Sequence, residues 1–464
     1  MKGVFMQLVS QSSIAEVISR GLELGADFVD VFIEKTNSEV LSFKNSKMSD
    51  IQSGIQYGIG IRLIKGDQVL YGYTNSDDRE ELLRITGLLG QRFKSQKTSQ
   101  TISFEKLNYP EVGKLKVFDV SLDQKIAHLK FLDEAFRKDK LVTQVVLDFI
   151  NRDQQVEIYN SEGLHAYERR PYIRMINNII LQDGNLQTSA YNAPGARGGW
   201  EFIEKMDHQK NIEDLIRQGR TTLYAKPCPA GVMPVVIDNG FGGVIFHEAC
   251  GHLLETTAVE KKASVFWDKK GEMIAHPNLS ASDDGTIDSE WGSLSIDDEG
   301  MPTQKTKLIE NGVLKNFLCD RVGHIKTGHP RTGSGRRQSY KFAPASRMRN
   351  TFIEAGPYSR EELIASLGNG LYAKKMGGGS VNPATGEFNF SVLEAYMVKD
   401  GKIGEAVKGA TLIGRGEDIM TKISMVGSDL SLMAGTCGSV SGMIPTTVGQ
   451  PPLKVDEILV GGRA

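Results

Sequence analysis

Cysteine is scarce in this chain: Cys228, Cys250, Cys319 and Cys437 are the only four in 464 residues, and no two of them form a CxxC pair. That excludes a disulfide scaffold and a cysteine-rich structural zinc motif, and it suits a reducing compartment. No run approaches the ~20 consecutive apolar residues of a membrane span. The start, Met1-Lys2-Gly3-Val4-Phe5-Met6-Gln7, lacks the sustained apolar core of a secretory signal. A soluble, cytoplasmic protein is expected. Charge of one sign is missing as well, with 55 basic against 57 acidic residues and a formal net charge of −2. This balance argues against an electrostatic nucleic-acid binder, which would concentrate basic residues on one surface. Internal repeats and low-complexity tracts are also absent, and the length calls for two domains, each able to bury a core.

Against this plain background, His247-Glu248-Ala249-Cys250-Gly251-His252 places two imidazoles and a carboxylate within six residues. In the HExxH zinc-protease motif the two histidines stand four apart on one helix face, and the glutamate is the general base. Here the spacing is one residue longer. On a regular helix an i,i+5 pair is displaced by roughly 140°, too far for both rings to reach one ion. The helix is therefore expected to deform by a single π-type turn, made easier by Gly251. Asp238 or Asn239 is expected to cap this helix, with Phe241, Val244, Ile245, Leu253 and Leu254 as its apolar stripe. As ordinary polar residues of a core helix the two histidines would lie on opposite flanks, but that reading leaves Glu248 beside them unexplained.

A catalytic zinc takes three protein ligands and keeps a fourth position for water. Cys250 lies between the histidines and is turned off their face, Cys228 is held between two prolines, and Cys319 follows an apolar strand-like run where an inert buried thiol is expected. Cys437 stands in the glycine-flanked stretch Ala434-Gly435-Thr436-Cys437-Gly438-Ser439 and is preferred on chemistry, with an Asp or Glu from elsewhere as the open alternative.

The chain resembles the TldD/PmbA family of metalloproteases, in the TldD-like branch that keeps the metal motif. The resemblance covers most of the chain. It rests on Phe246 to His252, Asp297-Asp298-Glu299-Gly300-Met301-Pro302-Thr303-Gln304, Gly335 to Tyr340, Arg347-Met348-Arg349-Asn350-Thr351, Val407 to Gly414 and Ala434 to Gly438, in one order. It implies one zinc ion per chain held by His247, His252 and Cys437, with Glu248 as the base that activates water. It also implies cleavage of small or unfolded peptides in a closed chamber formed by two chains, either a homodimer or a heterodimer with a related subunit lacking the metal motif. Leu253-Leu254 after the second histidine departs from the glycine expected there, which bears on the pocket wall and not on the ligands.

Arg331 to Tyr340, with Arg347 and Arg349 beyond, supplies further donors. Arg336, Arg337 and Arg347 are candidates to hold a peptide carboxylate, and Tyr340 to support an oxyanion. A solvated basic loop is the alternative. A phosphate-loop reading of Gly333-Ser334-Gly335 fails for want of the Lys-Ser/Thr ending. Gly377-Gly378-Gly379-Ser380 reads as a turn between strands. Two other functions stay open: a non-catalytic regulatory or binding protein with a structural metal site, and hydrolysis of a non-peptide amide. An intact Glu248 favours the peptidase, because a structural site has four protein ligands and no use for a base.

The expected fold class is α+β: a smaller mixed N-terminal domain over residues 1–225 and a larger, mainly antiparallel β domain over 226–464 that carries the metal helix. Lys226-Pro227-Cys228-Pro229-Ala230-Gly231 marks the boundary. In the first part, Ser13 and Glu16 suggest a capping box opening a helix to about Leu24. Strands are expected over Phe28 to Lys35, Ser38 to Phe43, Ile51 to Ile64 and Gln68 to Thr74. Helices follow over Asp77 to Phe93 and Ser121 to Arg137, with a polar linker from Ser95 to Thr101. His128, on the second, is expected to be a solvent-facing or satisfied residue rather than a ligand. An antiparallel sheet from Leu141 to Tyr191 and a helix near Asn211 to Tyr224 complete this part. In the second part a buried strand at Met233 to Ile237 precedes the metal helix, and Asn311-Gly312 and Asp400-Gly401 signal hairpins.

Overall fold

The computed structural model describes residues 9–94, 96–98, 101–382 and 385–462. Met1 to Gln7, and Ser95, Ser99 and Gln100 of the expected linker, lie outside the described residues. The fold is α+β, and its strands fall into two sets along the chain. Strands up to Arg197 form one eight-stranded sheet. Its backbone is the order Gln68–Thr74, Lys47–Lys65, Phe28–Lys44, Val142–Asn160, Leu164–Asp183. Helices Gln11–Glu23, Arg79–Gly90, Leu122–Phe136 and His208–Tyr224 accompany it.

Two local expectations change here. Phe28–Lys44 is one strand rather than two, because the polar stretch at Thr36 and Asn37 is laddered on both sides, to Gln56 and Ile55 and to Gln154 and Asp153. The first helix is capped by Ser10, whose side chain accepts from the Ser13 N–H, so Ser13 is already inside the helix and no capping box forms with Glu16. The box does occur at Ser121 with Gln124, where the helix expected over Ser121 to Arg137 begins. His128 packs against His208, with ring centroids 4.7 Å apart, and burial pulls its imidazole down to about 4.

From Lys226 onward the chain builds two further large sheets. In one, Gly370–Val381, Gly231–Ile237, Leu453–Gly461, Thr411–Arg415 and Glu387–Lys399 pair in that order, and the last pairs back to the first, closing a barrel. All but one of these pairings are antiparallel. The other sheet ends in the order Asn350–Ile353, Gly442–Gln450, Ser431–Ser439, so the strand that carries Cys437 is its edge. Both expected hairpins form: Asn311 and Gly312 have φ of 49° and 81°, and Asp400 and Gly401 have 49° and 69°, as a two-residue I′ turn needs. Gly377 to Ser380 is not a turn. It lies inside the strand Gly370–Val381 at a register irregularity, where a Cβ on Gly379 would sit 2.1 Å from the Asn389 carbonyl oxygen.

The two sets of strands share an apolar cluster, Phe32, Val156, Ile158 and Ala166 with Ile296 and Tyr340. Buried ion pairs surround it. Arg62, fully buried, is paired with Asp30 and reaches Glu299 at 2.8 Å, and Glu299 also holds Arg331 at 3.1 Å and the Arg321 N–H. Arg170 bridges Glu168 and Asp298 in the same way. Arg62→Met would strand the buried Asp30 carboxylate and leave Glu299 only Arg331 and the Arg321 N–H, a change that costs about 3–5 kcal/mol. Its urea midpoint should fall accordingly; an unshifted midpoint would show that Arg62 does not hold the halves together.

Candidate metal centre

The segment before the first histidine is glycine-rich for a steric reason. Gly240–Gly243 forms a 3₁₀ turn pressed on the strand Gly442–Gln450, and a Cβ on Gly243 would lie 2.5 Å from the Gly449 backbone. The α-helix is only Val244–Ala249, and neither Asp238 nor Asn239 caps it. Asp238 is taken by Arg360 and Tyr372, and the Asn239 amide by Asp429. The extra residue between the histidines is not absorbed by a π turn. The helix stops at Cys250, with φ −132° and ψ −47°, and resumes as a 3₁₀ turn over Gly251–Leu254. Gly251 serves close packing, since a Cβ there would meet the Met348 sulfur at 2.3 Å. Leu253 and Leu254 are buried in the core of the C-terminal part.

This break swings His252 beside His247, with ring centroids 5.0 Å apart and planes at 84°. The Cys437 sulfur, on the distant edge strand, is 3.2 Å from His247 Nε2 and 3.3 Å from His252 Nε2. One ligand atom from each of the three lies within 4.8 Å of the others. His247 and Cys437 are buried, while the His252 and Glu248 side chains keep 18% and 24% exposure, so solvent reaches the cluster from their side. Glu248 Oε2 is 3.8 Å from His252 Nε2.

The electrostatics single out one thiol. Burial raises those of Cys228, Cys250 and Cys319, the last to about 12. Burial acts on Cys437 too, but the two imidazoles outweigh it and bring this thiol down to about 4. At His252 burial is opposed by Glu255 and by the Cys437 sulfur, which together hold the imidazole well above its usual value. Two imidazole nitrogens and a thiolate are a donor set that suits zinc. The residues therefore fit such an ion, and among the described residues no fourth His, Cys, Asp or Glu joins the cluster.

One supporting residue, Glu255, has no place in the sequence reading, and Arg347, expected there to hold a peptide carboxylate, supports the centre in another way. Glu255 Oε2 is 3.1 Å from His252 Nδ1 and fixes which nitrogen faces the sulfur; its place three residues after His252 was the available signal. Arg347 Nη2 donates to the Cys437 carbonyl at 2.8 Å, and its Nη1 to Gly442 O and Ser441 Oγ, so it ties down the hairpin that presents the thiol. The rest of the basic segment is not a solvated loop, for it is buried. Arg336 donates to the carbonyls of Met348 and Pro445, Arg337 to those of Asp298 and Phe342, and Arg349 to Asp283 and the Thr332 and Gly333 carbonyls. Tyr340 packs edge-on against Tyr73, with its N–H on Glu34.

Donors of this kind, grouped with one side open to water, define a candidate mononuclear hydrolase centre. Comparison with known proteins gives the relationship. Family models described as the PmbA/TldA metallopeptidase domain 1, central domain and C-terminal domain match residues 29–86, 116–221 and 230–462. The chain is 34% identical over 452 residues to a metalloprotease TldD homolog of Haemophilus influenzae, covering 94% of this chain and 93% of that one. It is 31% identical to a metalloprotease of Methanocaldococcus jannaschii, over 94% and 97% of the two chains. A zinc metalloprotease TldD homolog of Saccharolobus solfataricus is 25% identical over 96% and 99%. The chain belongs to the PmbA/TldD family. Its fold is similar to that of TldE from Thermococcus kodakarensis, with a TM-score of 0.75 at 20% identity over 97% and 100% of the chains. It is also similar to a Thermotoga maritima protein described as a candidate modulator of a DNA gyrase, with a TM-score of 0.80 at 21% identity over 97% and 99%.

If Glu255 orients the second histidine, Glu255→Ala should weaken zinc retention roughly 10–100-fold in a competition titration. Retention equal to that of the unaltered chain would remove Glu255 from the site.

Proposed function

We propose that this chain is a zinc-dependent peptidase that hydrolyses small or unfolded peptides, with His247, His252 and Cys437 as ligands and Glu248 as general base. The convergence of three donor atoms within 4.8 Å, with Glu248 at their solvent-facing side, carries this reading. The metalloprotease names of the relatives support it. Zinc, when bound, supplies Lewis acidity, which acidifies water and polarises a scissile carbonyl. Glu248 takes the proton from the attacking water and returns it to the leaving amine. Glu255 keeps the His252 ring in place, and Arg347 keeps the Cys437 backbone in place. A thiolate ligand leaves the centre less positive than three neutral ligands would, so donors from the protein gain weight in stabilising the oxyanion.

We place the centre in a C-terminal part over 226–464 and assign residues 1–225 to the wall and supports of the cleft. The active form is a dimer, either of this chain or with a related subunit lacking the metal motif; the likeness to TldE supports the second arrangement. Four free cysteines suit action in the cytoplasm, and among the described residues no helix is long and apolar enough to cross a membrane. A structural metal site would explain the three ligands but not Glu248.

Glu248→Gln should bind zinc as before and lose peptide hydrolysis by at least ~10²-fold. A metal-replete variant that still digests peptides at near the original rate would refute the role. Cys437→Ser should release zinc to a chelator more readily; unchanged affinity by metal analysis would move the third ligand to another residue.

A further inference from the structure

Beside the centre lies a cavity of about 510 Å³ that the proposed reaction does not yet use. Its lining includes Phe241, Met376, Leu393 and Met433, and two cations, Arg174 and Lys375. It adjoins the site along the edge strand Ser431–Ser439, because Met433, Ala434, Gly435 and Thr436 all line it and Thr436 directly precedes Cys437. Two to four residues of extended backbone, roughly 7–13 Å, separate Cys437 from the Gly435 to Met433 wall. A peptide whose carbonyl lies at the centre thus reaches the cavity within a few residues.

Neither cation there makes a direct ion pair among the described residues. Among the described residues no carboxylate lies within 4.0 Å of Arg174 or Lys375, although most buried arginines of this protein are paired with acids. Arg174 spends its donors on neutral groups, the Ala193 and Ala434 carbonyls and the Thr436 hydroxyl, and stacks over Trp291. Lys375 Nζ donates to the Tyr191 carbonyl at 2.8 Å and to Gln218 Oε1 at 2.5 Å. Two acids act on Lys375 through their charge: Glu394, its cross-strand neighbour, which is already paired with Arg217 and Lys374, and Asp214, which lies 3.9 Å from Arg217. Burial brings the Lys375 ammonium down to about 8 and the Arg174 guanidinium below its usual value, the response of cations held away from water with only neutral groups in contact. Placing two such groups at the wall of an apolar cavity costs stability unless an anion comes to it.

We propose that this cavity is a substrate subsite that binds a carboxylate of the peptide, with Lys375 and Arg174 as specificity-determining residues and the apolar lining holding the carbon part of the same residue. The proposal rests on the peptidase reading and adds the substrate class to it: peptides bearing a negative charge two to four residues from the scissile bond. The carboxylate is either the chain terminus or an acidic side chain, since both present the same oxygens.

The test is binding of labelled peptides to the zinc-loaded full-length chain by fluorescence anisotropy. Three versions of one apolar hexapeptide are compared: one with a free C-terminal carboxylate, one amidated, and one amidated with a single internal Asp. The wild-type chain should bind a carboxylate-bearing version at least about tenfold more tightly than the uncharged one, the size of one charge-assisted contact. Preference for the free terminus names a terminal subsite, and preference for the Asp peptide a side-chain subsite. In Lys375→Met the preference should collapse to within about twofold, and Lys375→Arg should restore it. A merely structural lysine would weaken all three peptides alike. Equal affinity for charged and uncharged peptides, no binding of any of them, or a preference that survives Lys375→Met with Arg174→Gln would overturn the subsite. Carboxylate preference without any hydrolysis would defeat the peptidase reading alone; hydrolysis without preference would defeat the subsite alone.

Discussion

Two imidazole nitrogens and one sulfur meet at 3.2–3.3 Å although the sulfur is 190 and 185 residues away from the histidines along the chain. That contact joins a short helix to the last strand of a sheet, and much of the C-terminal architecture can be read as what makes it possible. The helix has to start tight against the strand Gly442–Gln450, which is why glycines precede it. It has to break at Cys250, because five residues of regular helix would turn His252 away. The strand has to be pinned, and Arg347 does this with three hydrogen bonds to the hairpin. None of these devices is chemical in itself, yet each fixes a donor atom.

A second constraint is the joint between the two sets of strands. Apolar burial there is modest, and the joint relies on charges taken out of water: Arg62 between Asp30 and Glu299, Arg170 between Glu168 and Asp298. Such pairs add little net stability over apolar packing but tolerate only one arrangement of their partners. The stretch Asp297 to Glu299, which carries family resemblance, thus acts as a connector and not as part of the centre. Its position relative to Arg337, whose N–H reaches Asp298, explains why the arginine-rich segment looked like a ligand cradle in the sequence and is found buried.

Much of the fold was legible before any coordinates. Composition, the turn dipeptides Asn311-Gly312 and Asp400-Gly401, and the apolar runs led to the α+β class and to most elements. The errors share a cause: a residue type was read by its local preference where a distant partner decides. Thr36 and Asn37 look like a strand break until both neighbouring strands are in place. Gly377 to Gly379 look like a turn until Asn389 and Ser391 crowd them. Asp238 looks like a helix cap until Arg360 and Tyr372 claim it. At the centre the motif and Cys437 could be named from residue chemistry and family resemblance, whereas Glu255 was marked only by its place three residues after His252. Arg174 and Lys375 stand out only because, among the described residues, neutral groups alone are in contact with them, a property that no local stretch of sequence encodes.

The position of the thiol at the rim of its sheet has a mechanical corollary. An outermost strand is laddered on one side only and frays at lower free energy than the interior of the fold. The two imidazoles ride on an element embedded in the core, so the three donors differ in how firmly they are anchored. An ion gripped by all three would act as a rivet for the sheet margin, and its departure would loosen that margin first while the helix stayed put. Occupancy of the centre and rigidity of the cleft wall are in this way one variable.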